Sequence, residues 1–313
     1  MLFEIALVIL PVFILVTIGF ISSYTQLLKR HSVDGLTKFC QDFGIPFLLF
    51  FNLAILDLDK AFDFRILICF YSSMVISFFI ISCTSYFLFQ QPYKSSIILG
   101  FCAMFSNGVL LGLPISELAY GANSLFINYS IIIGHAPLCY LVGIAFIEVA
   151  NANNKNNTFL VSLKSAFKAI VLNNLTIGIL LGISFNLIEL EFSTHTEDLL
   201  KRGTAWIIPI SLFTMGGVLY YYRITNSLKI PLSIIFTSLF IQPTVVYLLG
   251  AYSWDIEIDL LRNAVIMAAM APGLNAYFFA NIYGKCREVV STTILISTGL
   301  TIFTSSFWIY FLS

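Results

Sequence analysis

Ten windows of about 20 mostly apolar residues follow one another along the 313 residues of this chain, each the length an α-helix needs to cross roughly 30 Å of hydrocarbon. Their approximate limits are 3–23, 36–56, 65–89, 96–120, 124–150, 169–188, 203–222, 229–252, 261–283 and 288–312. Hydrocarbon offers the backbone no hydrogen-bonding partners, so each window is expected to be helical and the fold all-α. With 59% apolar residues and only 10% charged ones, the chain has too few charges to cover a soluble domain of this size.

The sparse charges orient the spans. Taken alternately, one set of connections carries Lys29, Arg30, Lys38, Lys94, Lys155, Lys164, Lys168, Arg223, Lys229, Lys285 and Arg287, eleven of the sixteen basic residues, and the other holds five. By the positive-inside rule the first set is cytoplasmic and both termini lie outside. The N-terminal span begins with Glu4 rather than a basic segment, and Lys29 and Arg30 follow it, which reads as an uncleaved span. Net charge is zero, and nothing suggests a nucleic-acid partner. Six scattered cysteines, without paired spacing or companion histidines, read as small buried apolar residues, and no metal or cofactor is expected.

The polar run Asn151 to Thr158 follows the fifth span and reads as part of a cytoplasmic linker, 151–168, between a first five-helix repeat, 1–150, and a second, 169–313. An odd number of spans per half inserts the second half upside down relative to the first, the architecture of two inverted repeats found in secondary transporters. Two dipeptides support a duplication. Ile45-Pro46 and Ile208-Pro209 lie 163 residues apart, as do Tyr120-Gly121 and Tyr283-Gly284.

Spans four and nine are both interrupted, by Asn107-Gly108 with Pro114 and by Pro272-Gly273 with Asn275. Proline removes a backbone donor and glycine relaxes the chain, so such breaks persist in a membrane where protein, water or a solute satisfies the freed groups. A half-helix N-terminus suits a carboxylate, and Asn107 and Asn275 add amide donors without an intramembrane charge. A packing kink is the plainer reading of one such helix; two at corresponding places favour a substrate site. Asn52 either lines the same cavity or bonds a neighbouring helix. Glu117, His135 and Asp42 are the candidates for proton coupling, against interfacial or purely structural roles. Gln242-Pro243 reads as a kink, and Gly216-Gly217 as a close helix contact.

The Ile-Pro of span two followed by Phe51-Asn52-Leu53, the Asn107-Gly-x-x-x-Gly-Leu-Pro114 break and the Met-Ala-Pro272-Gly-x-Asn275-Ala core resemble the auxin efflux carrier family, over essentially the whole chain. Bacterial members of that family are often described as malate or malonate permeases. The resemblance implies a fold like that of bile-acid symporters and sodium/proton antiporters, with spans four and nine crossing at mid-membrane. It implies a scaffold domain moving against a crossover domain, an organic anion at the crossing, and a bacterial inner-membrane location. By position, Asn107 and Asn275 match the family's polar residues at the breaks, and Pro114 and Pro272 its crossover prolines. Span six opens with Asn173-Asn174 where many relatives have Asn-Pro.

The expectation is a permease that moves a small organic anion by alternating access, in the lipid bilayer, with protons and a homodimer as open questions of coupling and assembly. A channel or membrane sensor is the alternative; an enzyme lacks any pairing of nucleophile and base.

Overall fold

Among the described residues of the structure, a computed structural model covering 2–151 and 173–313, every regular element is helical. The only strand-like pairing among them is one isolated bridge, Ser106 to Pro272. The expected linker 151–168 falls, except for Asn151, outside the described residues.

In chain order the helices are α1 (Leu2–Tyr24), α2 (Arg30–Phe39), α3 (Ile45–Ala54), α4 (Leu58–Ala61), α5 (Phe64–Cys83), α6 (Tyr93–Met104), α7 (Leu113–Tyr120) and α8 (Phe126–Asn151). After the undescribed segment come α9 (Asn174–Leu187), α10 (Thr194–Thr204), α11 (Ile207–Tyr220), α12 (Lys229–Phe236), α13 (Gln242–Leu248), α14 (Ile258–Ala268), α15 (Leu274–Ile282) and α16 (Arg287–Phe311).

Among the described residues, six helical segments are long and apolar enough to cross a membrane: Phe3–Tyr24, Phe64–Leu88, Phe126–Val149, Thr194–Tyr220, Lys229–Ser253 and Arg287–Phe311. The other expected spans are shorter or divided. Spans four and nine are each two helices around a non-helical break, and span two is α2 and α3 joined through the π-helical turn Cys40–Gly44. Three π-helical turns, Cys40–Gly44, Gly108–Gly112 and Thr237–Ile241, end two residues before Pro46, Pro114 and Pro243. A proline cannot donate to the carbonyl four residues back and its ring crowds that carbonyl; a wider turn ahead of it relieves the crowding.

The chain forms two compact units, and each takes segments from both sides of the undescribed stretch. One contains described residues 11–61 and 173–221. Here α9 lies close on α3, because a Cβ at Gly178 would meet the carbonyl of Pro46 and one at Gly182 the carbonyl of Phe50 at 2.6 Å. That glycine pair has the G-x-x-x-G spacing of close membrane packing. Asn186 then donates to the carbonyls of Leu53, Ala54 and Leu56 at 3.0, 3.1 and 2.7 Å, closing the end of α3. Gly216 rests on the carbonyl of Val16, so the expected close contact at Gly216-Gly217 is present. Asn173 starts α9 without a proline, its side chain accepting from the N–H of Leu175 at 2.9 Å.

The other unit contains described residues 2–10, 62–151 and 222–313. Its core includes buried Phe70, Met74 and Phe78 of α5, with Phe101 of α6 stacked on Phe279 of α15 at 3.8 Å and 3°. Gly121 and Gly284, the glycines of the matched Tyr-Gly pairs, are the two with positive φ, +83° and +67°. Each ends a short helix, at the place where a residue with a Cβ would be strained. Four of the six cysteines are buried as expected, whereas Cys83 is exposed and Cys286 half-buried.

Candidate functional site: the crossing of two broken helices

The break in span four covers Phe105 to Asn107 and that in span nine Ala269 to Gly273, and both lie in the same unit. The two run antiparallel and hydrogen-bond to each other. Asn107 donates its backbone N–H to the carbonyl of Ala271 at 2.8 Å, and Gly273 donates to the carbonyl of Phe105 at 2.9 Å. Ser106 and Pro272 face each other between these bonds. This is the position of an antiparallel pair that exchanges no hydrogen bond, so the N–H that Pro272 lacks is not missed.

Four helix ends meet at this crossing. Helices α6 and α14 finish there with their carbonyl ends, and the turn Gly108–Gly112 and α15 begin there with free N–H groups. Partial negative and positive charge therefore face one another in a protein interior, and the two N-terminal ends are the favourable place for an anion. Ser106 and Asn107 are 3% and 7% exposed, so this is a site shielded by the unit around it.

Of the residues expected at the site, Asn107, Gly108, Pro272 and Gly273 come together here. The carbonyl of Asn107 accepts from Leu111 and Gly112, both at 3.1 Å, which starts the second half of span four. A Cβ on Gly108 would lie 2.6 Å from Cε of Met267, so glycine lets α14 approach this turn. Asn275 is half-buried in the first turn of α15 and has no side-chain hydrogen bond among the described residues.

Other expected residues lie elsewhere. Pro114 is in the first turn of α7, two residues past the π-helical turn, and the residue opposite Pro272 is Ser106. The non-helical break thus lies at Phe105–Asn107, not at the proline. Asn52 belongs to the other unit, and its amide donates to the carbonyl of Leu48 on its own helix at 2.8 Å. Asp42 and Glu117 are both exposed on the protein.

His135 is the one proton-coupling candidate that reaches the crossing. It is 7% exposed, and its Nε2 lies 3.2 Å from the carbonyl of Ser106. A carbonyl only accepts, so Nε2 carries the proton. The rings of Phe70 and Phe105 flank the imidazole, with centroids at 5.6 and 4.9 Å.

Sequence reasoning gave several neighbours no place at the site. Ser238 donates to the carbonyl of Ala103 at 3.1 Å, near the end of α6. One turn later Gln242 is fully buried with neither amide atom partnered among the described residues. The Oγ of Ser106 is likewise buried and unpartnered. Gln242-Pro243 was read as a kink; the signal for a place at the site was an uncharged polar side chain in mid-span, as at Asn107 and Asn275.

A family model described as "Membrane transport protein" matches residues 5–309. A relative from Mus musculus described as "Lysosomal cholesterol signaling protein" is 24% identical over 312 residues, which cover 92% of this chain. The match takes in 35% of the relative, so this chain spans about a third of its length.

Proposed function

This chain belongs to the auxin efflux carrier family of membrane transport proteins, and we propose that it acts there as a secondary carrier of a small organic anion, such as a carboxylate. The observation that carries this reading is the hydrogen-bonded crossing of Phe105–Asn107 with Ala271–Gly273, which directs two half-helix N-termini into one buried place. In this reading the ten spans form two inverted five-helix repeats, and the anion lies against Gly108, Gly273 and the amides of Asn107 and Asn275. Alternating access follows if the two compact units move against each other. The distribution of basic residues supports a reading with both termini outside, and a bacterial inner membrane and a homodimer complete the proposal.

Uptake of labelled malate, malonate and indole-acetate by proteoliposomes tests it, comparing wild type with Asn107→Ala and Asn275→Ala. Saturable uptake that both substitutions reduce at least ten-fold supports the site. Non-saturable leak of all three solutes, or unimpaired mutants, overturns it.

The name of the mouse relative favours a second reading, a membrane sensor. Saturable sterol binding without uptake of any of the three anions is its distinguishing result.

A further inference from the structure

Near one end of the same unit, away from the crossing, polar groups without partners collect where α7, α8 and α14 meet. Arg262 lies six residues before the end of α14, about 9 Å along the helix axis. Its guanidinium stacks on the ring of Tyr120, with Cζ 4.3 Å from the centroid. Nη1 pairs with Oδ1 of Asp259 at 2.7 Å.

The rest of the environment is unsatisfied. Arg262 Nε and the Tyr120 hydroxyl are buried and have no partner among the described residues. Asn263, next in sequence and 1% exposed, has an unpartnered Oδ1. On α8, fully buried Asn128 spends its Nδ2 on Ser116 Oγ at 2.8 Å and leaves its own Oδ1 unpartnered. Ser116 stands one turn before Tyr120 on the same face of α7.

Leaving a buried guanidinium N–H and a buried hydroxyl without acceptors is costly, and nearby side chains do not relieve it. Asp259 does not relieve it either. Its side chain is 72% exposed and that of Arg262 26%, the setting in which an ion pair contributes little and is easily exchanged. An arginine whose Nε lacks a partner among the described residues and whose existing partner is loosely held presents a fork that a carboxylate fits with two parallel bonds.

We propose that Arg262 is a carboxylate-docking group, a second anion subsite at the α7–α14 end of this unit, from which Asp259 is displaced as the substrate carboxylate arrives. The guanidinium Nε and the Tyr120 hydroxyl supply the donors, and the ring of Tyr120 fixes the plane of the fork. The subsite takes the carboxylate before it reaches the crossing, so the proposal rests on the anion-carrier reading above.

The test is the half-saturating malonate concentration for uptake by proteoliposomes containing the full chain, for wild type, Asp259→Asn, Arg262→Gln and Arg262→Lys. Asp259→Asn removes the internal competitor at an exposed position, and the half-saturating concentration falls about three-fold. That gain cannot come from misfolding. Arg262→Gln raises it roughly ten-fold with little change in maximal rate, and Arg262→Lys, which keeps the charge but loses the fork, falls between. Saturable wild-type uptake with all three variants unchanged overturns the subsite and leaves the carrier reading standing. So does an Asp259→Asn value that rises in step with Arg262→Gln, because Asp259 would then hold Arg262 in place for another purpose. Absence of saturable uptake by wild type for malate, malonate and indole-acetate alike overturns the carrier reading, and the subsite with it.

Discussion

The indole N–H of Trp308 donates to the carbonyl of Leu239 at 3.0 Å, and Leu239 is the residue whose carbonyl a helical N–H at position 243 would pair. That position is Pro243, which has no N–H to give. A side chain from α16 thus takes over a hydrogen bond that the proline removes from span eight. Trp308→Phe is expected to leave the carbonyl buried and unpaired at a cost of about 1–3 kcal/mol, read as a lower thermal midpoint in detergent. In a Pro243→Ala background the N–H returns, and the same substitution should cost clearly less. Equal costs in both backgrounds would separate the indole bond from the proline.

Gly273 offers a clean probe of the crossing. Its φ of −80° is one that proline also adopts, so Gly273→Pro deletes the donor to Phe105 without asking for a new backbone conformation. Gly273→Ala keeps the donor and brings a Cβ to 3.2 Å from the ring of Phe105, a contact the ring can yield to. The expected result is near-normal uptake for the alanine variant and at least a ten-fold loss for the proline variant, with a loss of about 1–3 kcal/mol in stability. Similar behaviour of the two would mean that the bond to Phe105 is dispensable.

His135 should act by holding the Ser106 carbonyl rather than by moving protons. Glutamine at this position retains an N–H donor, whereas phenylalanine leaves the carbonyl unpaired. Uptake by His135→Gln is expected within about three-fold of wild type with the same pH profile, and His135→Phe is expected to lose stability by roughly 1–3 kcal/mol. A flattened pH profile in His135→Gln would instead mark the imidazole as the coupling group.

At the start of α5, outside the membrane-spanning segment, Asp63 caps the helix by accepting from Arg65 N–H at 2.9 Å and pairs with the Arg65 guanidinium at 2.7 Å. The hydrogen bond from the Arg65 side chain is the main reason its carboxyl is held below the ordinary carboxylate value. A lowered folded-state pKa stabilises the fold at pH above the unfolded value, near 4, and that contribution fades as pH falls through the folded value. Asp63→Asn should therefore cost about 1 kcal/mol or less at neutral pH, and the difference from wild type should shrink in acid. Melting curves of the two proteins from pH 7 down to pH 3 measure it.

Membrane character and the two broken helices were legible in the sequence because hydrophobic length and proline or glycine chemistry act locally. Asn107, Gly108, Pro272 and Gly273 carried that signal and do meet. Pro114 misled, since a π-helical turn absorbs a proline inside a span without breaking it, and nothing in local composition distinguishes that outcome from a break. Asn52 bonds its own helix and Glu117 is exposed, and local composition marked neither outcome. A polar residue within an apolar window has the same sequence signature whether it faces a cavity, its own helix or the outside, and only the packing of distant segments decides. Gln242 was read only as part of a kink and Arg262 only as one of the basic residues outside, because their environments are assembled from helices far apart in the chain.

The tie between the two crossing segments is made of amide hydrogens and carbonyl oxygens, and that has a consequence for divergence. Phe105, Ser106 and Ala271 contribute only atoms that almost every amino acid possesses, so their identities are free to drift while the joint persists. A replacement of main-chain amide by ester at Asn107 or Gly273 would reach it, where an alanine scan would pass over it in silence. Side chains around such a joint can be exchanged for new cargo without rebuilding the place where the helices part.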